Sequence, residues 1–419
     1  MLPTLLLLFI SSLTLVSSSL TPPSLPLHTS SRWILDSTNT RVKLRCVNWA
    51  GHLETHIPEG LHKQSIASLA DWISSQGFNC VRLTYSIDHA LNPDLKVSHA
   101  FAAAATASGA NRDALMGLYA AAVGKDPFLA NATTREVFAA VVDTLWERGG
   151  VMTLLDNHVS RARWCCNLTD GNGWWDTGFG YNAPNSRFFH TREWLDGLGA
   201  MATWARQHKG VVAMGLRNEI REFLLQGTFN GRQDWYDLVA QAGRVVHAAN
   251  GDVLVVVGGT MSSTDLTHVR AGRMLDTSAW PGKHVWEMHA YSFTVTYPNL
   301  LGSCDVVTAE YGAFAGFVLE QGRAYTAPLM LSEFGVGMTG GTERGLNEQD
   351  RNYLSCLVGY MENNDAEWAV WALQGSYYVR DGQVDYDEGW GVLDHDWSGW
   401  RNGEFPAMLG RMWEVTQGP

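Results

Sequence analysis

Charge is scarce in this sequence. Only 17% of its 419 residues are Asp, Glu, Lys or Arg, and the 42 acidic groups outnumber the 30 basic ones, for a net charge of −12. No basic stretch stands out, which argues against nucleic acid or an anionic membrane as a partner. No CxxC pair occurs, so the commonest zinc and redox signatures are missing. Neither GxSxG nor a P-loop is present, which leaves nucleophile-elbow hydrolases and phosphoryl-transfer enzymes without support. Past the N-terminus no apolar run reaches the roughly 18 residues of a membrane span. With 46% hydrophobic residues the chain is not disordered, and with so few charges it is not a coiled coil. The surplus is tryptophan: 18 residues, beside 13 Tyr and 15 Phe. Indoles offer flat faces to polar-rimmed ligands, with sugars first among them.

The first residues, Met1 to Val16, are apolar and run into Ser17-Ser18-Ser19. This pattern reads as a secretory signal peptide over 1–19, although no Lys or Arg precedes the apolar run. Secretion makes the six cysteines candidates for disulfides. Strain opposes a bond between the adjacent Cys165 and Cys166, so each is expected to pair elsewhere. Asn131-Ala-Thr133 and Asn167-Leu-Thr169 are N-glycosylation sequons.

Short apolar runs recur at Val42–Asn48, Phe78–Thr84, Val151–Asp156 and Val211–Arg217. Four more follow at Val253–Val257, His284–His289, Pro328–Ser332 and Glu367–Ala372. Such near-continuous runs suit strands buried on both faces. Between them lie helix-like segments with apolar residues at helical spacing, at Gln64–Ser75, Thr134–Arg148, Trp235–Ala249 and Gln349–Glu362. The alternation predicts an α/β protein, a single (β/α)8 TIM barrel. An open doubly wound sheet is the alternative, but the turn after the first run, Asn48-Trp-Ala-Gly51, is not GxGxxG. Residues about 88–133 form an excursion containing an Ala-rich patch, expected as a helical insertion over the barrel top or a long loop. No repeat or linker divides the chain, so residues 20–419 are expected to form one catalytic domain.

Barrel chemistry belongs at the C-terminal ends of strands. There the sequence places Arg82, Asp156-Asn157-His158, Arg217-Asn218-Glu219, His289-Ala-Tyr291, Ser332-Glu333-Phe-Gly335 and Trp371. Glu219 and Glu333 follow the fourth and seventh strands, so they face each other across the mouth. Glycoside cleavage needs such a pair, one protonated and one ionised. Arg82 and Tyr291 are placed to hold Glu333 ionised, and His289 to sit near Glu219.

These segments resemble glycoside hydrolase family 5, the cellulase-like retaining family. Asn218-Glu219, His289-Ala-Tyr291 and Leu331-Ser-Glu-Phe-Gly335 carry the resemblance, with Arg82, His158 and Trp371 on the right strands in the right order, over residues about 32–415. Val47–Glu54, Leu155–His158, Trp164-Cys-Cys166 and Gly375–Tyr378 are similar to its plant secreted branch. The resemblance implies a retaining hydrolase of a β-linked glycan, of β-glucan or β-mannan type, secreted to the apoplast or cell wall, monomeric and without a cofactor. It implies Glu219 as acid/base and Glu333 as nucleophile. Asn218 would bind the sugar 2-hydroxyl and His158 the same sugar. Arg82 and Tyr291 would fix Glu333, His289 would partner the glutamates, and Trp371 would floor the subsite. Where most members read Asn-Glu-Pro, this chain has Ile220. Plant relatives often continue into a ricin-type lectin domain; this sequence stops at Pro419, and such a domain's sugar-targeting role is left unassigned.

Other readings compete. His52-Leu-Glu-Thr-His56 lacks the metalloprotease spacing, so it is expected as a rim loop with His52 as a sugar contact. His158, His289, Asp156 and Glu333 would suit a metal-dependent barrel hydrolase. A carbohydrate-binding protein with weak or transglycosylating activity is the third class. Trp49, Trp164, Trp174 and Trp175 are candidates to stack sugars, whereas Trp390 and Trp397 are expected in the core.

Overall fold

The computed structural model describes residues 21–270, 273–293, 303–339 and 346–419. The signal-peptide assignment to residues 1–19 lies outside them. Eight parallel strands close into a barrel: β1 (Arg45–Trp49), β2 (Cys80–Ser86), β3 (Met152–Val159), β4 (Val211–Gly215), β5 (Leu254–Gly258), β6 (His284–Ala290), β7 (Leu329–Phe334) and β8 (Glu367–Val370). Closure is made by β8 on β1, with Trp368 opposite Arg45. Each of the eight apolar runs is a barrel strand, as expected.

The runs are apolar throughout because both faces are buried, and the two faces do different work. Outward residues such as Val47, Val81, Leu83 and Leu155 pack under the helices. Inward residues such as Cys46, Cys80, Leu154, Val256, Val285 and Met330 fill the lower barrel. Two residues further along the same faces stand Asn48, Arg82, Asp156 and Glu287, all fully buried. Side chains alternate along a strand, so the inward file passes from apolar at the bottom to ionisable at the top.

Register shifts by one residue in β3, β4 and β7, and the shift in β7 bears directly on the site. In β7, Leu331 pairs with Met288 of β6, but the next residue of β6, His289, pairs with Glu333. The same extra residue shows against β8, where Trp368 meets Leu331 and Val370 meets Phe334. This β-bulge re-aims Glu333 into the barrel; simple alternation would turn it outward with Leu331.

Helices follow most strands, including Ile66–Ser75, Thr134–Gly149, Thr191–Ala205, Gln233–Ala249, Cys304–Phe314 and Glu348–Asn364. Local signals start several of them. The Ser65 hydroxyl accepts from Ser68 N, and Thr133 with Glu136 forms a capping box. After β5 the described residues hold only one-turn helices, Thr260–Ser263 and Thr267–Arg270.

The excursion is helical, with Val97–Ser108 and Arg112–Lys125. It packs on an antiparallel hairpin that follows β8, Ser376–Arg380 with Gln383–Asp387, where Phe101 meets Tyr378 at 4.9 Å between ring centroids. A second hairpin, His28–Ser30 with Trp33–Leu35, precedes the barrel, and its Ile34, with Leu27 just before it, joins the interior apolar cluster. No described helix is long and apolar enough to cross a membrane.

All six cysteines are paired. Cys46 bonds Cys80 across the β1–β2 register, and Cys304 bonds Cys356 between two helices. The third bond corrects an expectation: Cys165 pairs with Cys166 itself, across a cis peptide. The fold commits the other four cysteines to each other at distant places, which leaves these two only one another.

Candidate active site

Arg82 organises the mouth of the barrel. It is fully buried on β2, and its guanidinium lies 2.7 Å from Glu333 Oε1, 2.9 Å from Asp156 Oδ1 and 3.9 Å from Glu287 Oε2. Burial alone would lower its pKa, but Asp156, Glu333 and Glu287 outweigh that and raise it. Arg82 therefore stays charged and fixed. It also donates to Asn48 Oδ1 and Asn218 Oδ1, both at 2.9 Å.

Glu333 receives a second hydrogen bond, from the Tyr291 hydroxyl to Oε2 at 3.0 Å. Burial, with Glu219 and Asp156, pushes its carboxyl above the usual range, against the pull of His289 and Arg82. The following Gly335 is required by close approach, because a Cβ there would lie 2.5 Å from the carbonyl oxygen of Trp371.

Glu219 follows β4 with φ 42°, in the left-handed region that disfavours a side chain. Arg221 over-determines that conformation. It donates to the Glu219 carbonyl at 2.7 Å and clamps both oxygens of buried Asp170 at 2.9 and 3.0 Å. The Glu219 side chain keeps 17% exposure, and its nearest guanidinium, Arg221, is 3.9 Å away. Burial pushes its carboxyl up to about 7, against the pull of Arg221 and Arg82. His289 Nδ1 stands 3.0 Å from Glu219 Oε1 and 3.6 Å from Glu333 Oε2. Glu219, His289 and Glu333 each offer an atom within 4.8 Å of the others. A metal could use that spacing, but the guanidinium on Glu333 already supplies fixed positive charge there.

His158 Nδ1 lies 2.7 Å from Asp156 Oδ2, and its Nε2 lies 3.4 Å from Asn218 Nδ2. Burial, then Arg82, hold its pKa well below the usual value, so the ring is neutral. Its Nδ1–H donates to Asp156, which leaves Nε2 as an acceptor toward the cavity. The Trp371 ring lies nearly parallel to it, 5.4 Å away.

These groups line one cavity of about 410 Å³, where His158, Asn218, Glu219, Tyr291, Glu333 and Trp371 all contribute surface. Arg82 and His289 lie immediately behind. Four expected sugar contacts, Trp49, His52, Trp174 and Trp175, do not reach it. Trp49 is core, with its indole N–H donating to the Glu59 carbonyl at 2.9 Å. Its side chain points outward from β1 into the layer beneath the helices. His52 is 1% exposed; it pairs with Thr84 Oγ1 at 2.7 Å and packs behind His158 at 4.0 Å between centroids. Trp174, Trp175 and Trp397 are buried in the core as well. Trp390 reverses its expectation and lines the cavity with Trp164.

Several lining residues escaped the strand-end reading: Ser262, Phe293, Arg380 and Glu388, with Cys165 and Cys166. Arg380 stacks on Trp164 at 3.5 Å and donates to Glu388 Oε2 at 3.0 Å. Both charged residues come from beyond β8, on or beside the late hairpin, a region that a search of strand ends does not visit.

Fold and site together define a barrel enzyme with two facing carboxylates at its C-terminal mouth, the construction of a barrel glycosidase. The family model described as Cellulase (glycosyl hydrolase family 5) matches residues 35–376, and the chain belongs to that family. It is accordingly a glycoside hydrolase. A "Glycosyl hydrolase 5 family protein" of Chamaecyparis obtusa is 40% identical over 406 residues, covering 94% of this chain and 67% of that protein. An "Endoglucanase" of Paenibacillus polymyxa is 22% identical, covering 92% of this chain and 86% of that protein. Among solved structures, a hyperthermophilic endocellulase from the archaeon Pyrococcus horikoshii shares the fold at TM-score 0.68 and 17% identity, covering 94% of this chain and 100% of that one.

Proposed function

We propose that the protein hydrolyses a β-linked glucan or mannan with retention of configuration, by double displacement, with Glu333 as nucleophile and Glu219 as acid/base. One observation carries this reading: oxygens of the two carboxylates approach within 4.8 Å. Retaining enzymes hold their carboxyl groups about 5–5.5 Å apart, whereas inverting ones leave a wider gap for water. The charges divide the roles. Glu333 has a guanidinium at 2.7 Å and a tyrosine hydroxyl at 3.0 Å to stabilise its anion. Glu219 has only the His289 ring at 3.0 Å and a guanidinium no nearer than 3.9 Å, and burial pushes its carboxyl up to about 7.

In the first step Glu333 attacks the anomeric carbon while Glu219 protonates the departing oxygen. In the second, Glu219 takes a proton from water, which attacks the glycosyl-enzyme. A sugar hydroxyl in place of that water gives transglycosylation. Asn218 Nδ2 and His158 Nε2 face the sugar being cleaved, and Trp371 stacks beneath it. Relatives named endoglucanase and endocellulase favour β-glucan over β-mannan. Residues 1–19 would direct secretion, and the enzyme would act outside the cell as a monomer without a cofactor.

A panel of β-glucans and β-mannans, with the product anomer followed by NMR, tests this. The β-anomer appears first if the reading holds. An α-anomer appearing first, or no turnover on the whole panel, overturns it.

A further inference from the structure

The Cys165–Cys166 disulfide is a surface of the cavity that the mechanism above does not use. Asn218 connects it to the reacting sugar. The Asn218 amide is oriented by Arg82, which occupies its Oδ1 at 2.9 Å. Its Nδ2 therefore faces the other way, 3.4 Å from His158 Nε2, 3.6 Å from Cys166 Sγ and 3.9 Å from Cys165 Sγ. One N–H meets the His158 acceptor; the other faces disulfide sulfur, a weak acceptor, and so stays available to a sugar hydroxyl while its position is confined. A ring nitrogen of His158 and both sulfurs lie within 4.8 Å of one another. Two sulfurs, an amide donor and an imidazole thus converge on one side of the subsite.

The loop bearing the sulfurs is anchored to the acid/base. Arg221 contacts Cys165 Sγ at 3.6 Å while holding the Glu219 carbonyl and Asp170. Asp170 in turn accepts from the Asn167 amide at 3.0 Å. On the other side Trp164 is held by the Arg380 guanidinium. The pair is therefore a fixed, polarisable, apolar surface beside the Asn218 donor.

Resting on the proposed function, in which Asn218 meets the sugar 2-hydroxyl, we propose that the Cys165–Cys166 disulfide touches the reacting sugar and determines which configuration at its C2 is accepted. An equatorial hydroxyl and an axial one cannot both meet a donor confined by an apolar wall. The disulfide sorts glucose-type from mannose-type sugars at this position.

Two measurements test it. In Glu333→Gln enzyme, which binds without turnover, reduction of this disulfide by a water-soluble phosphine is followed by peptide mass spectrometry. Saturating cellotetraose or mannotetraose, whichever series the wild type cleaves, slows the reduction by about tenfold or more if sugar covers the sulfurs. Unchanged reduction at proven saturation overturns the proposal. The second measurement compares wild type with Cys165→Ala/Cys166→Ala on an activated aryl β-glycoside and its 2-deoxy counterpart. The variant loses about tenfold or more in kcat/KM on the parent and much less on the 2-deoxy substrate. Equal losses on both mark a merely structural bond and overturn it. Should the variant not fold, the protection measurement decides. A wild type inactive on every β-glycan defeats the functional reading instead; an active wild type with an unprotected disulfide defeats only this inference.

Discussion

Arg82 donates to Glu333 from across the barrel, Nη1 to Oε1 at 2.7 Å, between residues 251 apart in sequence. The bond gives one of two neighbouring carboxylates a guanidinium in direct contact, while the other has its nearest one at 3.9 Å. That asymmetry lets two chemically identical side chains take opposite parts in one reaction.

Glu333→Gln removes the proposed nucleophile but keeps its shape and its bond to Tyr291. Turnover is expected to fall on the order of a thousandfold or more, with oligosaccharide binding preserved. Calorimetric titration beside a rate assay checks this. Turnover near the wild-type rate would reassign the nucleophile.

Glu219→Ala should lose most activity on polymer and retain a first step on substrates whose leaving group needs no proton. Azide then replaces water in the second step and restores the rate, with a β-glycosyl azide as product. An α-azide, or no response to azide, contradicts the assigned role.

The proton on Glu219 sets two pH effects. Activity declines as pH rises through about 7, where the acid ionises. Stability follows the same group. Folding raises this carboxyl from 4.5 to about 7, so its contribution is complete below 4.5 and is lost as pH rises through 7. Glu219→Gln cannot ionise, and between about pH 5 and pH 8 it should gain on the wild type by up to about 3 kcal/mol, less for the open part of the side chain. Denaturant midpoints of both proteins across that range measure it. A difference that does not change with pH defeats the assignment.

Trp371→Ala and Trp49→Ala should fail in different ways. Loss of the cavity indole raises KM about tenfold, and costs stability as well because most of that ring is buried. Loss of the core indole costs about 3–5 kcal/mol of stability and leaves KM near its original value in whatever remains folded. Paired unfolding curves and KM measurements separate them. The same KM shift in both variants would return Trp49 to the sugar.

A chelator discriminates the metal-dependent reading. Prolonged dialysis against one should leave the rate unchanged, because Arg82 already supplies the positive charge at Glu333. Activity lost to the chelator and restored by a divalent cation would revive that reading.

Much of the site was legible along the chain because a parallel barrel places the end of every buried strand at one mouth. Finding the strands was enough to bring Arg82, His158, Glu219, His289 and Glu333 together. Trp49 and His52 misled because they too stand near a strand end. Which face a residue takes depends on alternation and on what packs behind it, and both turn away from the cavity. Trp390, Arg380 and Glu388 were missed for the converse reason. They reach the mouth from a hairpin beyond the last strand, and nothing local in their sequence marks that return.

The tryptophan surplus shows where sequence stops. Composition raised the prospect of a sugar site, and strand order placed two glutamates on facing strands. Those two conclusions needed only periodicity and the chemistry of carboxylates. The tertiary structure decided which indoles are wall and which are core. It decided that an extra residue in β7 turns Glu333 inward, and that Arg82 stands against one glutamate while burial raises the carboxyl of the other to about 7. It also left Cys165 and Cys166 bonded to each other in the cavity wall. Each of these depends on neighbours brought from distant parts of the chain, whose distances and screening no linear pattern encodes.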